Sequence, residues 1–246
     1  MKKITKIALA VMLAGLVLCG LSYFLTGGDW TKYNTNGNNY VAKSYESKAG
    51  IKEIVIDENS NTATIKSADT DKVTIDYYDD PENSVYKIEE DGGRLIFSRN
   101  DRSVFKLINI NLSKKDIVIT IPRDYEGLLD IDITSGSITA SGITAGEMRL
   151  DNSSGSIELD NVQVAGNISI DNTSGSVSFN NLKSDGDISI ENTTGSIEGT
   201  IEGSESDYSI TSDVTAGSSN LKNSTGGAHK LDVHTTAGSI EIDFTK

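Results

Sequence analysis

The chain has 246 residues, a formal charge of −14 at pH 7, 23 glycines and only two prolines. So acidic a surface repels nucleic acid, which excludes nucleic-acid binding, and the single cysteine, Cys19, excludes a disulfide framework or a Cys-rich metal site. Many glycines with few prolines favour short strands over helices, so we expect an all-β protein stabilised by burial and backbone hydrogen bonds.

An apolar segment at the N-terminus predicts a membrane anchor. Residues 7–25 contain 19 consecutive positions without a charged side chain, close to the ~20 that a helix needs to cross the hydrocarbon core. Lys2, Lys3 and Lys6 precede the segment, and basic flanks stay on the cytoplasmic side. We therefore expect residues 1–6 to form a cytoplasmic head, residues 7–25 a single transmembrane helix in the cell membrane, and the main domain to be extracellular.

Two processing alternatives compete with an uncleaved anchor. A cleaved signal peptide has a shorter apolar core and a small-residue cleavage site, and no such site follows Leu25. Lipidation is suggested by Leu16 three residues before Cys19, although Leu18 stands where a small residue is expected. Residues 26–44 are rich in Gly, Asn and Thr without apolar periodicity, which predicts a flexible stalk.

Residues 45–128 contain alternating apolar runs separated by turn residues. Pairs such as Ile54/Ile56 and Leu95/Phe97 recur at every second position, the pattern of strands with one buried face. Because neighbouring strands joined by short turns pair in antiparallel fashion, we expect an antiparallel β region that covers the first rung of the repeats that follow.

Residues 129–246 repeat with a period of about twenty residues. Each unit has a glycine step flanked by two alternating apolar strands, such as Ile168/Ile170 before the glycine and Val177/Phe179 after it. Glycine accepts positive φ without a Cβ penalty, so we assign these glycines a structural role at the corners of a β-solenoid. The corner glycines stand 19, 20, 20, 22 and 21 residues apart and are Gly136, Gly155, Gly175, Gly195, Gly217 and Gly238.

A single repeat cannot fold alone. About five buried apolar side chains contribute on the order of 10 kcal/mol, against ~1–2 kcal/mol of backbone entropy for each of roughly twenty residues. Stacked repeats share hydrogen bonds and a continuous core, so we expect a single-stranded β-helix-like stack of about six rungs. Local bulging is expected at Thr215–Ser219, which lacks the usual Ile, and at Gly199, which replaces a core residue.

Acidic residues recur just before the corners. Asp151, Asp171 and Glu191 occupy this place in successive repeats, and an asparagine follows each of them. We expect acids and amides to form outward columns about 4.8 Å apart, most simply an asparagine ladder beside solvated acids. Alternatively, these three carboxylates are weak candidates for calcium ligands, since closely spaced oxygens suit hard cations. We expect no cofactor.

No set of residues in the repeats indicates catalysis. His229 and His234 lack a third ligand or an ordered Ser-His-Asp set, so both are expected at the surface. Because β-helices also include polysaccharide lyases and hydrolases, the alternative is a polysaccharide-active enzyme with Arg149 or Lys183 as a basic residue. Basic residues are sparse in the repeats, and we expect a protein that is not an enzyme.

The repeats of residues 134–182, which begin TSGSITASG, and the Ile119–Pro122 junction resemble a bacterial β-strand-repeat family of unknown function described as candidate adhesins. The resemblance extends from Ile51 to the C-terminus. It implies an antiparallel front half and repeated Ser-Gly-Ser-Ile steps, and it transfers no catalytic residue. The family includes membrane-anchored proteins of Gram-positive cell-envelope-stress (Lia-type) operons, to which the short head and single span are similar.

These features predict a non-enzymatic, membrane-anchored adhesin or envelope scaffold. Its expected partners are the membrane, a cell-wall polymer or envelope proteins, and no nucleic acid. End-to-end self-association is a further prediction, because the strand at Ile240–Phe244 would present an open edge unless it pairs with a second copy or is covered. A calcium-binding or self-assembling surface module is the remaining alternative.

Overall fold

The computed structural model describes residues 40–81, 84–99 and 116–245. The predicted cytoplasmic head, the predicted transmembrane helix and residues 26–39 of the predicted stalk lie outside these ranges. Within the three described ranges, no helix has the length and apolar character needed to cross a membrane. The end of the predicted stalk is corrected, because residues 41–44 belong to the first strand and pair with the fourth.

The described residues fold into strands joined by turns, which confirms the all-β prediction. One 3-10 turn spans Glu205–Asp207. Most strands alternate buried and exposed side chains, as expected for strands with one face on a core. The strands are β1 (Val41–Glu46), β2 (Glu53–Glu58), β3 (Ala63–Ala68), β4 (Thr74–Asp79), β5 (Tyr86–Asp91), β6 (Arg94–Arg99), β7 (Ile117–Pro122), β8 (Leu128–Ile133), β9 (Ile138–Ala145), β10 (Glu147–Asn152), β11 (Ile157–Val164), β12 (Ile168–Ser174), β13 (Val177–Ser184), β14 (Ile188–Thr194), β15 (Ile197–Glu202), β16 (Tyr208–Ser219) and β17 (His229–Thr245).

Successive repeats stack as rungs through parallel pairing. β8, β10, β12 and β14 form one column of strands, and β9, β11, β13 and β15 form a second. The register joins equivalent positions of the repeat, for example Ile168 with Ile188 and Val177 with Ile197. The β-solenoid predicted from the repeat is therefore confirmed.

The front half is only in part the antiparallel region expected from the sequence. β2 pairs in parallel with β6 and β8, and β3 with β7 and β9, so these strands are further rungs of the same stack. Antiparallel pairing joins β1 to β4, β4 to β7 and β5 to β6. The expected pairing of chain neighbours is confirmed for β5 and β6. It was wrong for β2 and β3, which pair with strands that return later in the chain. The stack therefore begins before residue 129.

The core consists of columns of like side chains that run along the stack. An inward position of a rung packs on the same position of the next rung, and in most columns successive side chains are similar in size and shape. One column, whose side chains are at most 1% exposed, includes Leu95, Ile54, Leu129, Met148, Ile168, Ile188 and Leu231.

Gly199 leaves room for a large neighbour in this core. A Cβ at Gly199 would lie 2.5 Å from a ring carbon of Phe179, which occupies the equivalent position one rung away. The pairing of β13 with β15 also shifts register between Phe179 and Leu182. The irregularity expected at Gly199 is therefore present as a local bulge.

The predicted corner glycines lie one above another where the first strand of a rung bends into the second. Gly175 and Gly195 both have φ of 130°, a conformation that residues with a Cβ rarely adopt. Space also requires glycine, since a Cβ on Gly195 would overlap the carbonyl oxygen of Gly175, and one on Gly175 that of Gly155. Gly136 lacks the positive φ, but its Cβ would overlap the carbonyl oxygen of Asn61.

The rungs have two further kinds of corner, which were not predicted from the sequence. β11 and β13 bend at Asn161 and Asn181, with φ of 51° and 54°, and Asn181 Nδ2 donates to Asn161 Oδ1 at 3.1 Å. Gly142 has the same role in β9, with φ of 60°. A second glycine series lies where one rung leads into the next, at Gly127, Gly146, Gly166 and Gly186.

Rung order at the C-terminal end differs from chain order. β17 lies between β14 and β16, so the earlier strand β16 forms the last rung. The contacts between corner glycines show the same rung order. A Cβ on Gly238 would overlap the carbonyl oxygen of Gly195, and a Cβ on Gly217 would overlap that of Gly238. The chain after β16 turns back over its edge, where Ile210 and Ser224 exchange two backbone hydrogen bonds. β17 is thus one rung inside the stack, and self-association through it stays a prediction.

Replacement of Gly175 by alanine is expected to lower the free energy of unfolding by on the order of 3 kcal/mol. The new Cβ must accept a disfavoured φ and displace a backbone carbonyl of the adjacent rung. Urea unfolding followed by circular dichroism measures this change.

Gly142→Asn is the matched control for that substitution. Asparagine occupies the equivalent corner at Asn161 and Asn181, and nothing lies within 4 Å of a Cβ placed on Gly142. We expect its free energy of unfolding to stay within about 0.5 kcal/mol of wild type. Equal destabilisation by both variants would contradict the proposed close approach at the first corner.

Candidate interaction surface

The asparagines that follow the acidic residues point into the core, which corrects the expectation of outward amide columns. Adjacent residues of a strand face opposite sides of the sheet, so Asp151 and Asn152 cannot both point outward. Asn152, Asn172 and Asn192 are at most 4% exposed. In β17 the equivalent place is taken by Thr235, which is also buried.

These buried amides bind the backbone of the glycine corner. Asn152 Nδ2 donates to the carbonyl oxygen of Gly136 at 3.1 Å. Asn192 Nδ2 donates to the carbonyl oxygen of Gly175, also at 3.1 Å. Carbonyl groups at the bend thereby keep a hydrogen-bond partner inside the core, where an unpaired carbonyl would be costly.

The acidic residues face solvent and form one continuous column across five rungs. Asp151, Asp171 and Glu191 are register partners on β10, β12 and β14, and the column continues through Asp132 on β8 to Asp57 on β2. We call these five residues the acidic ladder. Because neighbouring strands lie ~4.8 Å apart, each carboxylate stands next to like charges in the adjacent rungs.

Two members of the acidic ladder, Asp132 and Asp171, have raised pKa values. Desolvation against the sheet, followed by the charge of Asp151 and other neighbouring carboxylates, raises the pKa of Asp132. Desolvation followed by repulsion from Glu191 and Asp151 raises the pKa of Asp171. Cations or basic groups that approach the ladder would relieve this repulsion.

The three carboxylates considered for calcium lie in a straight column and do not surround a point. Calcium takes 6–8 oxygen ligands about one centre. Within residues 40–81, 84–99 and 116–245, no group of three His, Cys, Asp or Glu side chains has a metal-binding arrangement. Calcium binding at Asp151, Asp171 and Glu191 therefore stays a prediction.

The two histidines lie apart from each other. His234 on β17 is the register partner of Glu191, and its Nε2 lies 2.6 Å from Asp232 Oδ1. His229 instead packs beside Tyr208, with 6.2 Å between ring centroids. His234 thus continues the column of the acidic ladder, whereas His229 lies at the start of β17, beside Tyr208 of the terminal rung.

The basic residues considered for catalysis lie on different sides of the rung. Arg149 extends from β10, and its Nη2 lies 2.7 Å from Glu147 Oε1. Lys183 follows the Asn181 corner of β13 and pairs with Glu202 at 2.8 Å. Each cation is therefore paired with a carboxylate of its own face.

A buried ion pair in the front half was not anticipated from the sequence. Glu58 is fully buried in the inward column that also contains Asn152. Arg99 Nη1 lies 3.0 Å from its Oε1, and the amides of Asn59 and Ser60 donate to the same oxygen at 3.0 Å each. Glu58 follows Ile54 and Ile56 at every second position, so the alternation already placed it on the buried face, but the sequence prediction did not extend that face to an acidic residue.

Stacked parallel rungs, glycine corners and a column of outward carboxylates define an all-β repeat solenoid with an acidic face. The sequence profile of the Toastrack DUF4097 family matches residues 51–246, and the protein belongs to this family. A comparison with curated proteins gave no match.

Two solved structures have a distant likeness to the chain. A candidate cell adhesion protein from Clostridium sporogenes has 14% sequence identity and a TM-score of 0.49, with 84% of this chain and 100% of that chain covered. A candidate adhesin from Bacteroides fragilis has 15% identity and a TM-score of 0.35, with 84% and 98% covered. TM-scores of this size support no inference about function.

Asn152→Ala is expected to lower the free energy of unfolding by roughly 1–3 kcal/mol. It leaves the Gly136 carbonyl and the Ser154 amide, which donates to Asn152 Oδ1, without their side-chain partner. Chemical denaturation measures the loss. Ser153→Ala, at an exposed neighbouring position, should change stability by less than about 0.5 kcal/mol. A similar loss in both variants would argue against the corner bond.

Asp171→Asn is expected to stabilise the protein at pH 7 by about 0.2–1 kcal/mol, because it removes a like charge from a cross-strand pair. A raised pKa means that the folded chain binds this proton more tightly than the unfolded chain. Lowering the pH towards the ordinary aspartate value of 3.8 therefore stabilises wild type through Asp171, and the advantage of the variant should fade. Urea unfolding over a pH series measures the difference.

Asp160→Asn provides a control of opposite sign. Asn180 Nδ2 donates to Asp160 Oδ1 at 2.8 Å, and this bond lowers the pKa of Asp160. Wild type should therefore be the more stable protein at pH 7, and its advantage should disappear as the pH falls through the lowered pKa. A pH-independent difference for Asp171→Asn would contradict repulsion within the acidic ladder.

Proposed function

We propose that this protein is a non-enzymatic, membrane-anchored module that holds a rigid acidic solenoid outside the cell membrane and binds a basic component of the envelope. The observation that carries the proposal is the acidic ladder, which presents five carboxylates in register on one face. A preformed column of like charge attracts a cationic partner over roughly one Debye length, about 10 Å at 0.1 M salt.

The solenoid supports such a role because its surface is rigid. Each ladder strand is hydrogen-bonded on both sides, and the core beneath it is almost fully buried. Little conformational entropy is then lost when a partner binds, since the charged groups are already positioned. A rigid acidic face suits either an adhesin or a stress-response scaffold, the two roles that the sequence resemblance implies.

The absence of an enzymatic role is part of the proposal. Catalytic sites are usually concave and exclude water, whereas the acidic ladder stands on an outward face. Arg149 and Lys183 each pair with a carboxylate on separate faces. Membrane anchoring rests on the uncharged segment of residues 7–25 and its basic flank.

The proposal predicts that crosslinking of the full-length protein in membranes captures a basic partner through the acidic ladder. Asp151→Asn/Asp171→Asn/Glu191→Gln should reduce capture several-fold, and raised salt should do the same by screening. Quantitative mass spectrometry of the crosslinked products measures the change.

Asp69→Asn/Asp71→Asn/Asp124→Asn is the matched control, because it removes three exposed charges outside the ladder. It should leave capture within twofold of wild type. Equal loss in both triple variants, or capture of acidic partners only, would contradict the proposal. Cleavage of envelope polysaccharide by the purified protein would favour the enzymatic alternative.

A further inference from the structure

A groove runs along the stack on the face formed by β9, β11, β13 and β15. It has a volume of about 350 Å³ and lies between two columns of outward side chains, which stand two residues apart along each strand. Inward-facing residues such as Leu159, whose side chains are buried beneath the sheet, form its floor. One wall consists of Thr139, Glu158, Ser178 and Glu198.

Two carboxylates of this wall are available to a partner. Glu158 and Glu198 are exposed, and neither has a hydrogen bond or ion pair with any residue that the structure describes. Ser178 lies between them, so they stand two rungs apart, about 9.6 Å from the strand spacing. On the opposite wall, Asp160 is already engaged, because Asn180 donates to it at 2.8 Å.

We propose that this groove binds an extended basic peptide segment with a Lys or Arg at every third residue. In a polyproline II helix, residues i and i+3 lie on the same side and about 9.3 Å apart, which matches the separation of Glu158 and Glu198. A β-strand places same-side residues about 6.8 Å apart, and an α-helix is about 10–12 Å wide, wider than walls two residues apart. The inference rests on the proposed function, whose basic partner it specifies.

The acidic ladder cannot supply the same selectivity. Its carboxylates recur at every rung, about 4.8 Å apart, so it attracts positive charge without favouring a three-residue spacing. A preference for that spacing that is lost when Glu158 and Glu198 are neutralised is therefore a property of the groove. This difference separates specific docking at Glu158 and Glu198 from general attraction to an acidic protein.

The test measures binding of two fluorescent peptides of identical composition to the full-length protein in detergent. One repeats Lys-Pro-Pro, and the other places its lysines in adjacent pairs. Anisotropy titration should show about fivefold tighter binding of the Lys-Pro-Pro peptide, as expected for two additional ion pairs of ~0.5 kcal/mol each. Glu158→Gln/Glu198→Gln should abolish this preference.

Two further variants keep the test specific. Asp151→Asn/Asp171→Asn removes the same charge from the acidic ladder and should preserve the preference for the Lys-Pro-Pro peptide. Glu158→Asp/Glu198→Asp keeps both charges and should retain most of the affinity. Specific docking in the groove would be contradicted if wild type bound the two peptides equally. It would also be contradicted if both neutralised variants lost the preference to the same extent. Either result would contradict the groove proposal but not electrostatic capture by the acidic ladder. If crosslinking in membranes captured no basic partner, the proposed function itself would be contradicted.

Discussion

The structure depends on the close approach of backbone at the first corner of each rung. A glycine there lies so near the carbonyl oxygen of the preceding glycine that no Cβ can be accommodated. This contact keeps successive rungs at sheet spacing through the bend, where regular strand pairing would otherwise be lost. Buried asparagines bind carbonyls of the same corners, so packing and hydrogen bonding fix one geometry together.

Most of the solenoid could be predicted because repeat period and strand alternation act locally. The glycine spacing fixed the rung length, and Ile168/Ile170 against Ile188/Ile190 fixed the register that the structure shows. Further corners were also visible, since Asn161 and Asn181, like Gly166 and Gly186, stand 20 residues apart. They were overlooked because asparagine and glycine are common in ordinary turns as well.

The pairing of strands that are distant in the chain could not be predicted in the same way. Parallel pairing of β2 with β6 and β8 depends on which strands return to it, and local alternation does not contain that information. The sequence prediction placed the amides on the outer surface, although adjacent residues such as Asp151 and Asn152 must lie on opposite faces of the sheet. For the candidate surface, the sequence identified Asp151, Asp171 and Glu191, but Asp57 and Asp132 joined them only through register.

Stability and surface charge act against each other in this fold. The inward columns bury aliphatic side chains almost completely, whereas the ladder stacks like charges on the opposite side of the same strands. Such repulsion is tolerable because a cross-strand pair of like charges costs only a fraction of what burial of one aliphatic side chain contributes. The core can therefore support an acidic face without any bound ion.

The position of β17 has a consequence for biosynthesis. A ribosome delivers β16 before β17, yet β16 pairs with β17 and not with β14. While residues 229–245 are still missing, the nascent chain has a complete rung at β14 and β15 whose next neighbour has not been made. Until β17 is made, β16 either stays unpaired or pairs with β14 and is later displaced by β17. The C-terminal end of the solenoid can therefore be completed only after β17 has been synthesised. The same delay would apply if the chain were exported from its N-terminus, because β17 would again arrive after β16.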